Sequence, residues 1–171
     1  MNVKVIIMDV DGVLTDGRII VDDNGVEHKF FDVKDGHIIH IALNLGIKIA
    51  WVSGRYSKAT QARADALKIP LVLQNQHEKI SSFKDIRDKF GVQNKEIAYF
   101  GDDLIDIPPM IASGFSAAPY DAVDDVKKTA DYISAKKGGR GFVRDAVEYI
   151  LKRMNLWDGV LAKYLLSESR I

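Results

Sequence analysis

Short runs of apolar residues alternate along the chain with longer segments in which apolar positions recur every three or four residues. The short runs predict buried strands, and the longer segments predict helices packed on them. The predicted strands are 3–7, 47–52, 71–73, 97–100, 114–117 and 131–134. The predicted helices are 35–45, 57–67, 79–90, 104–112, 122–129 and a long helix after 138–141. This alternation predicts an α/β fold, a Rossmann-like parallel sheet with helices on both faces.

Two segments stand outside this alternation. Residues 18–21 and 26–31 flank the turn sequence Asp-Asp-Asn-Gly and predict a β-hairpin flap, 18–31, after the first strand. In the C-terminal tail, 155–171, apolar residues at helical spacing predict an amphipathic helix that packs on its own domain or on a neighbour. The apolar residues of the tail are Leu156, Trp157, Val160, Leu161, Tyr164 and Leu165. We expect residues 1–171 to form a single domain.

Composition narrows the class of protein. Hydrophobic residues make up 47% of the chain and charged residues 28%, as in ordinary globular proteins. The formal net charge is +0, so no overall field attracts nucleic acid or an anionic membrane. The absence of cysteine excludes disulfides, thiolate metal sites and a cysteine nucleophile. The sequence shows neither a signal segment nor an apolar run of spanning length, so we expect a cytoplasmic protein.

The first predicted strand ends at two carboxylates and a glycine, Asp9, Asp11 and Gly12. Residues two apart on a strand project to the same side, so we expect Asp9 and Asp11 to point into one small space. At about 4 Å and an effective dielectric near 20, two carboxylates repel each other by roughly 4 kcal/mol. A bound cation would offset this repulsion. For the motif alone, an Asp-rich surface turn is the alternative.

Further polar groups follow the later strands, at the sheet edge where open parallel sheets bind ligands. Ser53-Gly54-Arg55 offers a hydroxyl and a backbone amide to phosphate oxygens. Lys79 offers a compact positive charge at the start of a helix. In Gly101-Asp102-Asp103-x-x-Asp106, Asp102 could join Asp9 on Mg²⁺, which prefers oxygen ligands. A turn, a solvated lysine or a helix cap explains each segment alone, but their order at successive strand ends favours a phosphate site.

Four of these segments resemble the motifs of the haloacid dehalogenase (HAD) superfamily of phosphohydrolases: Asp9-x-Asp11-Gly12-Val13, Ser53-Gly54-Arg55, Lys79 and Gly101-Asp102-Asp103-x-x-Asp106. Other segments extend the resemblance to the small, capless 3-deoxy-D-manno-octulosonate 8-phosphate (KDO 8-phosphate) phosphatases: Leu14-Thr15-Asp16-Gly17, the hairpin, Asp35-Gly36 and Gly138-Gly139-Arg140-Gly141. The intervals between the motifs have no room for a separate cap domain. The resemblance implies a HAD-like fold and a phosphatase that acts on a sugar-acid phosphate.

The resemblance also implies a role for each motif residue. Asp9 would be the nucleophile that forms an aspartyl-phosphate, and Asp11 would protonate the leaving oxygen and then activate water. Mg²⁺ would be held by Asp9, by the backbone carbonyl of Asp11 and by Asp102. Three groups would stabilise the phosphoryl oxygens, namely Ser53, Gly54 and Lys79. Asp103 would position Lys79 or metal-bound waters, and Asp106 would support the site without binding the metal.

The substrate contacts implied by the resemblance lie between the first and third motifs, except for Asp103 in the fourth. They are Asp32, Val33, Lys34, Asp35, Gly36, His40, Gly54, Arg55, Arg63 and Asp103. If the second predicted helix begins by Arg55, Arg55 and Arg63 could share a face suited to a sugar-acid carboxylate. The chain reads Asp-Gly-His-Ile-Ile-His over 35–40, where the family often reads Asp-Gly-Tyr-Gly-Ile-Arg. Because His40 is only partly charged near neutral pH, the related nonulosonate 9-phosphate phosphatases are an alternative.

In the resembled family, hairpins build the central barrel of a homotetramer, and neighbouring chains complete each site. We therefore expect a homotetramer, with a hairpin that only covers its own sheet as the alternative. A phospho-receiver domain also combines acids, a hydroxyl and a lysine, but its phosphorylated Asp ends a later strand, whereas Ser53 here follows the first acid pair. A non-catalytic relative that serves in oligomerisation would be expected to have lost some polar groups, yet Asp9, Asp11, Ser53, Lys79 and Asp102 are all present.

Overall fold

A six-stranded parallel sheet forms the centre of the computed structural model, which describes residues 1–167 of the chain. The strand order across the sheet is β5-β4-β1-β6-β7-β8. These strands are β1 (Val5–Met8), β4 (Lys48–Val52), β5 (Leu71–Leu73), β6 (Ile97–Phe100), β7 (Phe115–Ala118) and β8 (Tyr132–Ile133). All five neighbouring pairs are parallel, which confirms the predicted α/β class.

Helices cover both faces of the sheet. They are α1 (Val33–Asn44), α2 (Lys58–Leu67), α3 (Lys79–Phe90), α4 (Ile107–Ala112), α5 (Asp124–Thr129), α6 (Phe142–Arg153) and α7 (Trp157–Ser167). Between β1 and β4 the chain holds only a hairpin and α1, and between β5 and β6 only α3 and a short 3-10 turn. No cap domain is therefore inserted at either position within the described residues. None of the helices described here is long and apolar enough to span a membrane.

The two faces of the sheet build two separate cores, because successive strand residues point to opposite sides. Ile6 and Met8 of β1 belong to one core, with residues of α1 and α6. Val5 and Ile7 belong to the other, with residues of α3, α4 and α5. All four residues of β1 are buried, as expected for a central strand of a sheet covered on both faces.

The central position of β1 brings three loops together. Met8, the last residue of β1, pairs with Trp51 of β4 on one side and with Phe100 of β6 on the other. The backbone N–H of Asp9 donates a 3.0 Å hydrogen bond to the carbonyl of Phe100. The loops that follow β1, β4 and β6 therefore lie side by side at the carboxyl edge of the sheet, where the predicted motifs begin.

The predicted hairpin is present but shorter than the pattern indicates. Its strands are β2 (Ile20–Val21) and β3 (Glu27–His28), which pair antiparallel. The Asp22 carboxylate closes the turn by accepting hydrogen bonds from two backbone N–H groups. The chain leaves the ladder after His28, and Phe31 stacks on Trp51 of the main sheet with ring centroids 6.2 Å apart. Residues 29–31 thus contact the domain instead of extending β3.

Several predicted helices begin at different residues in the structure, and for two of them the cause is clear. α1 begins at Val33 because the Asp32 side chain acts as its N-cap and accepts hydrogen bonds from the backbone N–H groups of Lys34 and Asp35. The predicted helix 104–112 is a 3-10 turn over residues 104–106 followed by α4. Pro108 and Pro109 lack the N–H groups that would continue α-helical bonding across the junction, which explains the break.

The tail forms α7, which packs on the domain through one side only. Trp157 and Val160 are buried in the core that contains α1 and α6. The guanidinium of Arg144 lies 5.3 Å from the centre of the Trp157 ring, a cation–π contact with α6. Other apolar residues of the predicted stripe are exposed, namely Leu161, Tyr164 and Leu165. Residues 168–171 of the predicted tail lie outside the described residues.

Candidate active site

Three carboxylates converge at the carboxyl edge of the sheet. Asp9 follows β1, whereas Asp102 and Asp106 belong to the loop after β6, and one oxygen from each lies within 4.8 Å of the others. Asp9 and Asp106 are buried, and Asp102 is partly buried. The third expected acid, Asp11, is not in this group. The repulsion expected between Asp9 and Asp11 therefore arises instead among Asp9, Asp102 and Asp106.

A buried lysine partly neutralises these acids. Lys79 is the first residue of α3, and its ammonium lies 2.7 Å from Asp9 and 2.7 Å from Asp106. Asp106 Oδ1 also accepts a 2.8 Å hydrogen bond from the Tyr99 hydroxyl, and its Oδ2 accepts bonds from the N–H groups of Asp102 and Asp103. With both oxygens engaged, Asp106 is arranged to hold Lys79 and the loop rather than to bind a ligand.

The charges of the cluster shift the pKa values of its members. Burial, followed by the charge of Asp106, raises the pKa of Asp9, although Lys79 opposes the change. Burial and then the charge of Asp9 raise the pKa of Asp102. Burial alone would lower the pKa of Lys79, but Asp9 and Asp106 together raise it. The cluster therefore carries more negative charge than Lys79 offsets, and a further cation would relieve it.

The donor set fits a divalent cation that prefers oxygen. Oδ1 of Asp102 is buried and has no hydrogen-bond partner among the described residues. Such an oxygen is costly to bury unless an ion or a water binds it. Gly12 has φ +97°, and a β-carbon at this position would collide with the Asp102 carboxylate. Glycine is thus required for Asp102 to approach the loop after β1, and Asp9 with Asp102 can hold Mg²⁺.

The loop after β4 presents a hydroxyl beside this cluster. Ser53 is buried, its N–H donates to the carbonyl of Leu73, and its carbonyl accepts from the N–H of Gln76, each at 2.9 Å. Ser53 Oγ accepts a 3.2 Å bond from the N–H of Arg55. These bonds fix the loop between β4 and the segment after β5. The position of Ser53 and Gly54 next to the β1 loop follows from the pairing of β1 with β4.

Asp11 lies apart from the cluster and is paired with the hairpin. Its carboxylate contacts the ammonium of Lys29, which follows β3. Asp11 is therefore not one of the acids that converge on Lys79. The two acids thus have different partners, since Asp9 pairs with Lys79 and Asp11 with Lys29.

Two side chains that connect Asp11 to Arg55, namely Lys29 and Glu27, are functional candidates that were not predicted from the sequence. Oε1 of Glu27 lies 3.3 Å from the Lys29 ammonium, and Oε2 lies 2.7 Å from the guanidinium of Arg55. The available signal was the presence of two charged residues, Glu27 and Lys29, two positions apart in the predicted hairpin. We name the four side chains Asp11, Lys29, Glu27 and Arg55 the hairpin ion-pair chain.

The predicted substrate residues are spread over three adjoining hollows. Asp32, Val33 and Lys34 line one of about 420 Å³ together with Arg140. Val33 also lines one of about 370 Å³ between α1 and α2, with Gly36, His40 and Arg63. A smaller hollow is lined by Asp32, Asp35, Gly36 and Arg63. The condition for a shared face of Arg55 and Arg63 is not met, because α2 begins at Lys58 and Arg55 precedes it.

Two of the predicted acids have contacts that the sequence did not indicate. Asp35 is buried, and its carboxylate accepts hydrogen bonds from the N–H groups of Gly141 and Arg144 at the start of α6. It thereby caps that helix. Asp103 is exposed and accepts from the N–H of Leu104, so it does not position Lys79. Asp106, three residues later, has that contact because the 3-10 turn directs its side chain inward.

Comparison with known proteins identifies the class of this fold and site. A family model described as haloacid dehalogenase-like hydrolase matches residues 71–144, which include Lys79 and Asp102. The parallel sheet with acids and a lysine at its carboxyl edge is thus that of a HAD-like hydrolase.

The similarity to one group within this class covers most of the chain. The 3-deoxy-D-manno-octulosonate 8-phosphate phosphatase of Escherichia coli K12 is 41% identical over 150 residues, 88% of this chain and 80% of the relative. The Moraxella catarrhalis phosphatase of the same name, solved with magnesium, phosphate and KDO, superposes with a TM-score of 0.92 at 36% identity, covering 95% of this chain and 93% of that one. The cobalt-bound Haemophilus influenzae enzyme gives a TM-score of 0.85 at 38% identity, with 88% of each chain covered. The chain therefore belongs to the family of KDO 8-phosphate phosphatases, and it is a phosphatase.

Proposed function

We propose that this phosphatase hydrolyses KDO 8-phosphate to KDO and inorganic phosphate through an aspartyl-phosphate intermediate, with Mg²⁺ as cofactor. The observation that carries the proposal is the position of Asp9, a buried carboxylate 2.7 Å from the Lys79 ammonium at the carboxyl end of the central strand. An acid in this position has a cation beside it to attract a phosphate dianion. The relatives that support the choice of substrate are 37–41% identical to this chain.

In the first step, an oxygen of Asp9 attacks phosphorus, and the bond from phosphorus to the sugar oxygen breaks. The electron pair of that bond stays on the sugar oxygen, which takes a proton from Asp11. Lys79, the Ser53 hydroxyl and the Gly54 amide stabilise the phosphoryl oxygens as their charge is redistributed. Preorganisation by Asp106 and Tyr99 supports this role of Lys79, because the ammonium is already held before substrate binds.

In the second step, water attacks the phosphorus of the aspartyl-phosphate while Asp11 takes a proton from the water. The bond from phosphorus to Asp9 breaks, and the carboxylate and inorganic phosphate are released. Asp11 thus ends with the proton state in which it began. Its carboxylate, which lies outside the Asp9 cluster and is partly exposed, supports proton exchange with substrate and water.

Asp9, Asp102 and the backbone carbonyl of Asp11 would hold Mg²⁺. When bound, the metal supplies positive charge that offsets the repulsion between the Asp9 carboxylate and the phosphate dianion. The orphaned Oδ1 of Asp102 supports this assignment. Asp106 supports the site from outside, since its two oxygens already accept hydrogen bonds from Lys79, Tyr99 and two backbone N–H groups.

The sugar acid would bind between the hairpin and α1. Lys34 and Arg140 line the hollow of about 420 Å³ there and provide cations for a carboxylate. Arg55 is exposed on the loop after β4, where it pairs with Glu27, and would be a further cation for the sugar acid. Gly36, His40 and Arg63 line the hollow between α1 and α2 and would contact the substrate of a neighbouring chain. Asp32 and Val33 would contact the sugar through the α1 N-terminus, and Asp103, exposed on the loop after β6, would be a further contact.

We also propose a homotetramer assembled through the hairpins. Five apolar side chains of this region are exposed: Ile19, Val21, Val26, Phe30 and Val33. Each is more than half exposed, and their concentration on the hairpin and the start of α1 supports burial against other chains. The proposal includes a single domain over residues 1–171 and a cytoplasmic location, which fractionation of cells that express the tagged chain would test.

A kinetic panel tests the choice of substrate. Phosphate release is measured with Mg²⁺ on KDO 8-phosphate, on a nonulosonate 9-phosphate and on glucose 6-phosphate. We expect kcat/KM for KDO 8-phosphate to exceed the others by at least about 30-fold, with activity lost in EDTA and restored by Mg²⁺. A preference for the nonulosonate phosphate would select that alternative, for which the histidine at position 40 is the supporting observation. Absence of hydrolysis of all three would contradict the proposed function.

A further inference from the structure

Lys29 is a buried lysine on an exposed hairpin. The side chain of Lys29 is 3% exposed, although its neighbours Val26 and Phe30 are 53% and 65% exposed. Burial of an ammonium is costly unless anions pair with it. Here Asp11 and Glu27 both contact it. The hairpin therefore directs the Lys29 ammonium toward Asp11, while Val26 and Phe30 of the same hairpin are exposed to solvent.

The ammonium of Lys29 is held on two sides. Lys29, just after β3, contacts the Asp11 carboxylate of the loop after β1, and its ammonium lies 3.3 Å from Oε1 of Glu27 on β3. Glu27 is in turn fixed by Arg55, with 2.7 Å between carboxylate and guanidinium. Negative and positive side chains thus alternate along the hairpin ion-pair chain. The Lys29 ammonium interacts with both the Asp11 and the Glu27 carboxylates, not with Asp11 alone.

Asp11 has little else to hold it. Within the described part of the chain, Lys29 provides the ion pair of the Asp11 carboxylate. Proton transfer requires a carboxyl held within hydrogen-bond reach of the leaving oxygen, and small displacements of such a group cost large factors in rate. A side chain at the end of β1 that is partly exposed would otherwise sample several rotamers.

We propose that Lys29 is a positioning residue for Asp11, and that Glu27 positions Lys29. The inference rests on the proposed function, in which Asp11 protonates the leaving oxygen and activates water. It assigns to the hairpin a part in the chemistry of its own chain, in addition to assembly. Lys29 itself transfers no proton and forms no bond in the reaction.

Two substrates separate this role from a structural one. The sugar oxygen of KDO 8-phosphate needs a proton to leave, whereas p-nitrophenolate leaves without one. For Lys29→Met we expect kcat on KDO 8-phosphate to fall about 30-fold, with KM changed less than about threefold. Stopped-flow measurement of p-nitrophenyl phosphate should show a burst within about threefold of wild type, followed by slower turnover because water activation still needs Asp11.

Conservative and control variants complete the design. Lys29→Arg keeps a cation and should recover at least about a third of the wild-type kcat. Glu27→Gln weakens the support of Lys29 and should lower kcat by about fivefold. Lys128→Met, which removes an exposed lysine paired with Asp125 on α5, should match wild type. Circular dichroism and gel filtration show whether each variant is folded, and Lys29→Arg and Glu27→Gln test the inference if Lys29→Met does not fold.

The possible failures are distinguishable. Wild-type kcat in both Lys29→Met and Glu27→Gln, with Asp11→Asn inactive, would overturn only the role of Lys29. A large rise in KM at unchanged kcat would make Lys29 a substrate contact, and equal loss of the burst on p-nitrophenyl phosphate would make its role structural. Each of these results overturns the inference. A wild-type protein without activity on KDO 8-phosphate would overturn the proposed function and the inference with it.

Discussion

Nζ of Lys79 lies 2.7 Å from Oδ1 of Asp106, and both side chains are almost completely buried. The pair joins the start of α3 to the loop after β6. The Tyr99 hydroxyl donates to the same oxygen, which fixes the carboxylate from the sheet side. An ammonium held in this way does not need to reorganise when charge shifts on a bound phosphate. Asp106 thereby sets the orientation of the Lys79 ammonium, which also contacts Asp9.

Asp106→Asn should therefore weaken catalysis more than binding. Loss of the Asp106 charge leaves Lys79 paired with Asp9 alone, so the ammonium turns toward the nucleophile. We expect kcat to fall about 100-fold with KM changed less than about fivefold. Tyr99→Phe, the matched variant, removes one hydrogen bond to Asp106 and should reduce kcat by less than about fivefold. Steady-state kinetics of both variants provide the check, and an unchanged kcat in Asp106→Asn would contradict the role of Asp106.

Asp9→Asn should separate activity from stability. Without the carboxylate no aspartyl-phosphate can form, and we expect kcat below about one ten-thousandth of wild type. The same change removes a buried acid whose pKa is raised by burial and by the charge of Asp106, so the metal-free protein should be at least as stable as wild type. Phosphate release and thermal unfolding in EDTA measure the two effects. The exposed Asp124→Asn on α5 is the control, and substantial turnover by Asp9→Asn would exclude the nucleophile assignment.

The sheet and the positions of the motifs could be predicted because they depend on local patterns. Each motif follows a short apolar run, and parallel strands have their carboxyl ends on one edge. The placement of Asp9, Ser53, Lys79 and Asp102 follows from these two facts. No distant contact has to be known to expect these residues at one edge of the sheet.

The sequence could not predict which way the remaining acids turn. The Asp35 side chain accepts hydrogen bonds from N–H groups more than 100 residues away, a contact that no local pattern indicates. Asp103 and Asp106 share one turn, and Asp106 points inward because the prolines that follow enforce a 3-10 turn there. Asp11 contacts Lys29, which arrives from a hairpin whose docking depends on Phe31 and Trp51.

Mg²⁺ should stabilise the folded protein through Asp102. A ligand that binds only the folded state at 100 times its dissociation constant adds about 2.7 kcal/mol. Because burial and neighbouring acids raise the pKa values of Asp9 and Asp102, the metal competes with protons, and its affinity should rise between pH 6 and pH 8. Thermal unfolding at increasing Mg²⁺ measures both effects. Asp102→Asn should lose the shift, whereas an undiminished shift in that variant would place the metal elsewhere.

A charged residue on the hairpin should break the proposed tetramer. Phe30 is 65% exposed and Val21 56% exposed, and burial of Asp in their place at an interface would leave a charge unpaired. Light scattering should give about four times the 19.1 kDa of one chain for wild type and a smaller mass for Phe30→Asp and Val21→Asp. Ile111→Asp, at a 70% exposed position on α4, should keep the wild-type mass. A wild-type mass for both hairpin variants would place the interface elsewhere.

Asp35 should make stability depend on pH in the direction opposite to that of an acid whose pKa is lowered on folding. Burial raises the pKa of Asp35 from 3.8 to about 6, although the N–H group of Arg144 favours the charged form. The folded protein therefore binds this proton more tightly than the unfolded chain, so the contribution to stability is greatest below about pH 4 and is lost as the pH rises through about 6. Asp35→Asn removes this titration. Measured by urea unfolding, the free energy of unfolding of wild type minus that of Asp35→Asn should fall by about 2 kcal/mol between pH 4 and pH 7. A difference that stays constant with pH would mean that Asp35 is already charged at pH 4 in the folded protein, and that the helix cap outweighs burial.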